Sequence, residues 1–344
     1  MSFEYLIQRI ERLSRKYPKE RIGFTIGTIT EYDQATDFYL TPIRSSNRIV
    51  YTGAIVRNVE TALKLVKIVD SKVAYIFVDS EKKVSQSNYG TDDAGNIEKA
   101  VAKSDISATL LTYKGNDLAV QAADTLLRVL TPNLTGAKIV IAGVGNIGMK
   151  LALSLLERGN SVHLYSQDSS HAAEVSNLLN KLKLRTTLSS AFHAKTLIDA
   201  TRDAQVLIAT SNKKKFIGLE HISVMKSMIN TSRPLLIDVG KGCFKDEISD
   251  ERNVVMRVDV GDELSSEIDS LITQFEFQNS SPKLRTVGDT RFVVRGIVGK
   301  KGDVVVDNLP IPSTVLGKCD GDGNLSLVSE AEVFKLLKKI KENI

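Results

Sequence analysis

The sequence contains no tryptophan and only two cysteines, and aromatic residues make up just 6% of its 344 positions. Without many large aromatic side chains, a core has to be built from valine, isoleucine, leucine and alanine, which suits buried parallel strands. Cys243 and Cys319 lie far apart and fit no metal-binding or redox spacing. We therefore expect two free thiols in a reducing compartment.

Long hydrophobic runs are also missing. No stretch of about 18 apolar residues occurs, so nothing predicts a membrane-spanning helix. Near the N-terminus, Phe3, Leu6, Ile10 and Leu13 repeat at helical spacing with charged residues between them. This pattern is typical of an amphipathic surface helix rather than of a targeting segment, and we expect a cytoplasmic protein.

The chain also has only a small excess of positive over negative charge. The net charge is only +5, and the basic residues are spread along the chain. Binding to nucleic acid would require a concentrated basic face, so no such partner is expected. The densest lysine runs, Lys213–Lys215 and the C-terminal lysines between 335 and 341, are interpreted as solvated surface. No pair of histidines has the spacing of metal ligands, so no metal is expected either.

Strand and helix patterns alternate along the first 115 residues, which predicts a small α/β domain. Strands are predicted at residues 22–30, 47–56, 73–78 and 106–113, and a helix at 59–69. Residues 116–130 have the pattern of a helix that connects this domain to the next, with Asn116 or Asp117 as its N-cap.

The most informative segment follows this helix. Ile139–Ala142 is an apolar strand, and Gly143, Gly145 and Gly148 then form the pattern G-x-G-x-x-G at the start of an apolar-faced helix. The first glycine allows a tight turn, the second lets a pyrophosphate approach the backbone, and the third lets the helix pack closely on the strand. The segment therefore predicts a dinucleotide phosphate loop.

A second strand, Val162–Tyr165, follows that helix and completes the βαβ context that the motif requires. Helices near 170–183, 191–203 and 219–230, with strands at 205–210 and 234–239, then predict a doubly wound Rossmann domain. We therefore predict an α/β protein with three parts: a small N-terminal α/β substrate (catalytic) domain (1–115), a Rossmann NAD(P)-binding domain (116–290) and a C-terminal segment that ends in an amphipathic helix (291–344).

An acidic residue normally ends the second strand of such a domain and holds the adenosine ribose; this chain has Ser166 there. A hydroxyl removes repulsion against a 2′-phosphate and slightly favours NADP, whereas Asp168 in a shifted register would favour NAD. The other candidates for cofactor binding lie at the helix start or at the carboxyl ends of strands, where open α/β sheets bind ligands. They are Asn146, Ile147, Gln167, Thr210, Ser211, Asn212, Asp238 and Gly240.

A small α/β domain, a connecting helix and a Rossmann domain resemble the amino-acid-dehydrogenase-like group, which includes shikimate dehydrogenase, methylenetetrahydrofolate dehydrogenase and glutamyl-tRNA reductase. The resemblance rests on the segments PNLTGAKIVIAGVGNIG and RPLLIDVGKG. It implies that Asp117 assists proton transfer, together with Lys82 or Lys83 after a strand of the first domain. Such a pair would remove a proton from oxygen while hydride leaves carbon.

These observations predict an NAD(P)-dependent dehydrogenase that acts on a small polar metabolite in the cleft between two domains. The alternative is a nucleotide-binding regulatory or scaffold module without turnover. A homodimer is expected, because it is the commonest arrangement among soluble oligomers.

Overall fold

The computed structural model describes residues 3–28, 38–81, 96–131, 134–227, 233–240, 242–251, 254–256, 260–280, 284–294 and 299–343. Lys82 and Lys83 lie outside the described residues, so their role stays a prediction. The chain divides into two compact units, Met1–Ile268 and Asp269–Ile344. Among the described residues, no helix combines the length and the apolar character needed to cross a membrane.

The first sheet of the first unit follows the predicted alternation of strands and helices. Its strands are β1 (Arg21–Thr28), β2 (Phe38–Leu40), β3 (Arg44–Ser45), β4 (Ile49–Val56), β5 (Tyr75–Asp79) and β6 (Thr109–Tyr113). β4, β1, β5 and β6 lie side by side in parallel, and β2 and β3 pair antiparallel with β4. The accompanying helices are α1 (Phe3–Lys16), α2 (Val59–Val69) and α3 (Ile97–Ala102), with a 3-10 turn at Asp70–Lys72.

The core of this part lies between the sheet and its helices. Phe24 and Ile26 of β1 are two residues apart, so they point to the same face. They are fully buried with Ile76 of β5, Leu6 of α1 and Leu65 of α2. The aliphatic core expected from the composition therefore forms around the parallel strands.

The second sheet contains the predicted glycine loop. Its strands are β7 (Lys138–Ala142), β8 (Ser161–Tyr165), β9 (Ala191–His193), β10 (Val206–Ala209), β11 (Leu235–Asp238) and β12 (Val255–Met256). All pair in parallel, in the order β9–β8–β7–β10–β11–β12. The direction of strand addition reverses at β7 and β10, and a ligand crevice is expected at such a switch point.

Helices cover both faces of the second sheet. They are α4 (Gly115–Leu130), α5 (Asn146–Glu157), α6 (Ser169–Leu182), α7 (Leu197–Thr201), α8 (Leu219–Ile222) and α9 (Asp246–Glu251). Ile139 and Ile141 of β7 join a core with residues of α4, α5 and α6, whereas Val140 joins a separate core with residues of α7, α8 and α9. Because successive side chains alternate across a strand, the sheet is doubly wound, as predicted.

The helix predicted over residues 191–203 is wrong in its first part. Residues 191–193 form the edge strand β9, and only Leu197–Thr201 is helical. Ala191 pairs with Val162 of β8, and its backbone N–H donates to the side chain of Asn180. These tertiary contacts select the strand over the local pattern of the sequence.

His163 of β8 is a half-buried histidine beside this edge strand. Its ring stacks on Phe192 at 4.9 Å between centroids, and Nε2 lies 3.3 Å from the hydroxyl of Ser161. Burial, with the nearby positive charge of Lys138, lowers the pKa of His163 to about 4 from its ordinary value of 6.5. The folded chain therefore favours the neutral imidazole, whereas the unfolded chain takes up a proton near pH 6.5.

We expect the first unit to lose stability as the pH falls from 7 to 5, because protonation of His163 then favours the unfolded chain. Solvent screening of the half-buried ring limits this contribution to about 1 kcal/mol at pH 5. Measured as melting temperature against pH, His163→Phe should give a shallower decline than the wild type. The exposed His193 provides the control, since His193→Phe should leave the decline unchanged. If the melting temperature fell equally steeply with pH in His163→Phe and His193→Phe, the buried ring of His163 would not be the cause of the decline.

The second unit is built around a small mixed sheet. Helix α10 (Gly261–Ser280) runs across the division between the units in sequence. The strands are β13 (Leu284–Val287), β14 (Thr290–Val294), β15 (Val304–Val306), β16 (Val315–Cys319) and β17 (Leu325–Ser326), in that order, and α11 (Glu330–Lys341) follows. Phe292, Val304, Leu336 and Ile340 share its core. The predicted C-terminal amphipathic helix is thus present, and β13 and β14 pair antiparallel on either side of residue 288.

Candidate functional site

The glycine loop connects β7 to α5, and two of its glycines are required by the fold. Gly143 has φ +114°, a conformation that L-residues rarely adopt, and a Cβ there would lie 2.6 Å from the backbone nitrogen of Ser211. At Gly148, a Cβ would lie 2.1 Å from the carbonyl oxygen of Gly143. These two glycines allow α5 to pack against its strand and the neighbouring loop.

Gly145 differs from both, because neither packing nor backbone conformation requires a glycine there. Its φ is −87°, and a Cβ would meet no atom within 4 Å. It forms the N-cap of α5 without a side-chain hydrogen bond to the helix start. The missing Cβ therefore leaves open space beside the N–H groups of the first turn, which includes Asn146 and Ile147. Such a helix end attracts anions through its free N–H groups and its dipole.

A pocket of about 390 Å³ lies beside this loop at the carboxyl ends of β7, β8 and β10. It brings together seven residues that the sequence predicted: Gly143, Gly145, Ser166, Gln167, Thr210, Ser211 and Asn212. Five further lining residues were not predicted, namely Val144, Tyr165, His171, Lys213 and Phe216. The position is the one expected for a ligand of a doubly wound sheet.

Six predicted cofactor residues do not line this pocket. Asn146, Ile147 and Gly148 form the start of α5, and the other three are used elsewhere in the fold. Asp168 caps α6, where its carboxylate accepts hydrogen bonds from the backbone of Ser170 and His171. Asp238 is buried and accepts from the backbone of residues 242 and 243. Gly240 packs against Ser211, whose carbonyl oxygen would lie 2.0 Å from a Cβ. Asp168 caps α6 through a single carboxylate oxygen, Oδ1, so the alternative in which it holds a ribose stays a prediction.

Among the described residues, the pocket lining contains a lysine and no carboxylate. Lys213 lies on the wall formed by the loop after β10. On the other wall, His171 of α6 lies with Nε2 3.0 Å from the carbonyl oxygen of Val144 in the glycine loop. The ring thus links the start of α6 to the loop. Together with the uncapped start of α5, these features favour an anionic ligand.

Asp117 lies at a second group of charges, around the start of α4. Its carboxylate forms an ion pair with Lys150 of α5, whose ammonium also lies 3.7 Å from the carboxylate of Glu81. The predicted N-cap is wrong, because α4 begins at Gly115 and Asp117 lies inside its first turn. Lys150 was not predicted, since nothing in its local pattern distinguishes it from an exposed helix lysine.

The start of α4 is held by two carboxylates, one at the end of β5 and one just after it. Asp79 accepts a hydrogen bond from the backbone of Gly115 at 3.2 Å, and Glu81 accepts one from the backbone of Asn116 at 2.7 Å. Asp79 is buried and also accepts from the hydroxyl of Thr28 at 3.0 Å. These bonds connect the first sheet to the connecting helix and fix where Asp117 lies.

A smaller pocket of about 230 Å³ lies beside Asp117. It is lined by Ser80, Thr112, Tyr113, Lys114, Asp117, Leu118, Gln121 and Glu267. Tyr113 is buried, its hydroxyl donates to the carbonyl oxygen of Ile26, and burial raises the pKa of this phenol well above its usual range. The pocket thus offers one basic and two acidic side chains in a space that fits only a small molecule.

No family model matches the sequence, and no curated protein matches it. Among solved structures, the chain is similar to ornithine carbamoyltransferase from Pyrococcus furiosus, with 10% identity over 78% of this chain and 92% of that one, at a TM-score of 0.45. It is also similar to a dipicolinate synthase chain from Bacillus halodurans, with 13% identity over 73% and 97% of the two chains, at a TM-score of 0.34. A third is CAD from Helicobacter pylori complexed with NADP(H), with 12% identity over 48% and 44%, at a TM-score of 0.32.

These comparisons contradict the predicted NAD(P)-dependent dehydrogenase. The structures that resemble the chain over 72–78% of its length include ornithine and aspartate carbamoyltransferases. We therefore do not retain the oxidation of a metabolite assisted by Asp117. A glycine loop indicates where a phosphate group can bind, but it leaves the reaction open.

Proposed function

We propose that the first unit binds a dinucleotide of the NAD(P) type at its glycine loop. The observation that carries the proposal is Gly145. The fold has room for a side chain at residue 145, yet the residue is glycine. No side chain caps the start of α5 beside it. A pyrophosphate would occupy this space and accept hydrogen bonds from the first turn of α5, including Asn146 and Ile147.

The adenosine part of the dinucleotide would lie across the pocket, between the ends of β8 and β10. Ser166 and Gln167 would contact the ribose from one side, and Ser211 and Asn212 would form the other wall. A serine in place of the usual acid favours NADP, because it removes a negative charge from beside a 2′-phosphate. Asp168 does not line the pocket, and its Oδ1 accepts hydrogen bonds from the start of α6.

The smaller pocket beside Asp117 would take a small polar molecule. Lys114 offers a positive group for an acid, and Asp117 and Glu267 offer negative groups for an amine. Neighbouring charges of both signs suit a compact ligand that itself carries both.

Calorimetric titration of the purified chain with NAD⁺, NADP⁺, NADH and NADPH tests the dinucleotide proposal. We expect saturable binding of one oxidised and reduced pair, with NADP⁺ and NADPH favoured. Adenosine, which lacks phosphates, serves as the control and should bind at least about 100-fold more weakly, since the charge-assisted hydrogen bonds to phosphate would be absent. If none of the four dinucleotides bound, the glycine loop would have only a structural role and the proposal would fall.

A further inference from the structure

The two walls of the pocket come from strands on opposite sides of β7. β8 and β10 both pair with β7, so their carboxyl ends are separated by about 10 Å, which is twice the spacing of neighbouring strands. Ser166 and Gln167 lie at the end of one, and Lys213 follows the end of the other. A long side chain on the second wall can therefore contact a group that is bound to the first.

A phosphate on the ribose would meet no negative side chain among the described residues of the pocket. The nearest helix start is that of α6, but it is already satisfied by Asp168, which accepts from the backbone of Ser170 at 3.0 Å and of His171 at 3.1 Å. The start of α5, in contrast, is not capped by a side chain and is open to the pyrophosphate. An additional phosphate would thus need a cation from the opposite wall.

Lys213 is the member of the run Lys213–Lys215 that is free to supply this charge. The ammonium of Lys215 lies 2.7 Å from Asp246, and that of Lys214 donates to the carbonyl oxygen of Gly240 at 3.2 Å. The ammonium of Lys213 lies 5.9 Å from the centre of the Phe216 ring, and no described residue forms an ion pair with it. Its side chain is exposed along the pocket wall.

We propose that Lys213 binds the 2′-phosphate of the adenosine ribose and so determines a preference for NADP over NAD. The inference rests on the dinucleotide site proposed above and assigns its specificity. An ammonium–phosphate contact is charge-assisted and about twice as strong as a neutral hydrogen bond. It exists only with the phosphorylated dinucleotide, because the 2′-hydroxyl of NAD carries no charge.

The test compares the dissociation constants of NADPH and NADH by calorimetry in the full chain. For Lys213→Ala we expect NADPH to bind about 10- to 30-fold more weakly, as the loss of one charge-assisted hydrogen bond implies, while binding of NADH changes less than about 2-fold. Lys213→Arg keeps the charge and should retain most of the preference. Lys215→Ala is the matched control, because Lys215 pairs with Asp246 outside the pocket, and it should leave both constants unchanged. Melting temperatures verify that each variant is folded.

The outcomes separate this inference from the proposal that supports it. An equal loss for NADPH and NADH in Lys213→Ala would overturn the inference, because the lysine would then contact a phosphate that both dinucleotides share. Unchanged binding of NADPH, or a wild-type chain that prefers NADH, would overturn it as well while leaving the dinucleotide site intact. If the wild type bound neither dinucleotide, the proposed function and the inference would fall together.

Discussion

The Gly145→Val variant is expected to bind dinucleotide about 100-fold more weakly than the wild type, a loss of about 2.7 kcal/mol of binding free energy. The valine side chain would enter the open space beside the first turn of α5, where a pyrophosphate would lie. It would prevent the close approach on which hydrogen bonds from the backbone depend. Calorimetric titration with the dinucleotide that the wild type prefers measures the effect.

The same variant should fold almost as stably as the wild type. Residue 145 has an ordinary φ of −87°, and a Cβ there meets no atom within 4 Å. The remaining cost is that of a poorer N-cap residue, about 1 kcal/mol or less. If Gly145→Val melted far below the wild type, its loss of binding would say nothing about the phosphate. If it folded and bound dinucleotide normally, the pyrophosphate would not lie at the start of α5.

The βαβ unit was predictable because its signals are local. The apolar strand Ile139–Ala142, the spacing of the glycines and the second strand all lie within about 30 residues, and each element also has the periodicity of its own structure. The predicted residues at the ends of β7, β8 and β10 meet in one pocket for a topological reason. The carboxyl ends of parallel strands lie along the same edge of a sheet, so strand positions alone indicate which loops are neighbours.

Contacts that join distant parts of the chain were not predictable in the same way. The start of α4 is satisfied by Asp79 and Glu81, which precede it by some 35 residues, so the local choice of Asn116 or Asp117 as N-cap was wrong. Likewise, Lys150 has no local feature that marks it as the partner of Asp117. Such pairs depend on how the first sheet and the helices around it pack, and a single sequence does not contain that information in readable form.

The composition of the run Lys213–Lys215 did not indicate that Lys213 lines the pocket. Three consecutive lysines usually form a solvated surface, and Lys214 and Lys215 have ordinary contacts there. The signal that could have distinguished Lys213 is its position directly after Thr210–Asn212, at the end of a strand next to the glycine loop. The predicted reaction failed for a related reason, since neither a fold nor a phosphate loop specifies the chemistry that accompanies it.

Gly148→Val is expected to destabilise the first unit strongly, in contrast to Gly145→Val. A Cβ at residue 148 would lie 2.1 Å from the carbonyl oxygen of Gly143 and 2.8 Å from the hydroxyl of Thr210. The first contact is with backbone, so relief requires α5 to move away from β7. That movement would also break the hydrogen bond at 2.5 Å from the Thr210 hydroxyl to Gly143, which joins the loops after β7 and β10.

Overpacking of this kind costs about 3 kcal/mol, at the upper end of the usual range because backbone must shift. For a unit of this size the melting temperature should fall by about 6–12 °C in differential scanning calorimetry. Gly145→Val provides the matched control, since the same side chain three residues earlier should lower it by only a few degrees. Similar melting temperatures for the two variants would mean that α5 does not pack on the loop as described. A large difference in melting temperature would show that the fold requires a glycine at residue 148 but not at residue 145.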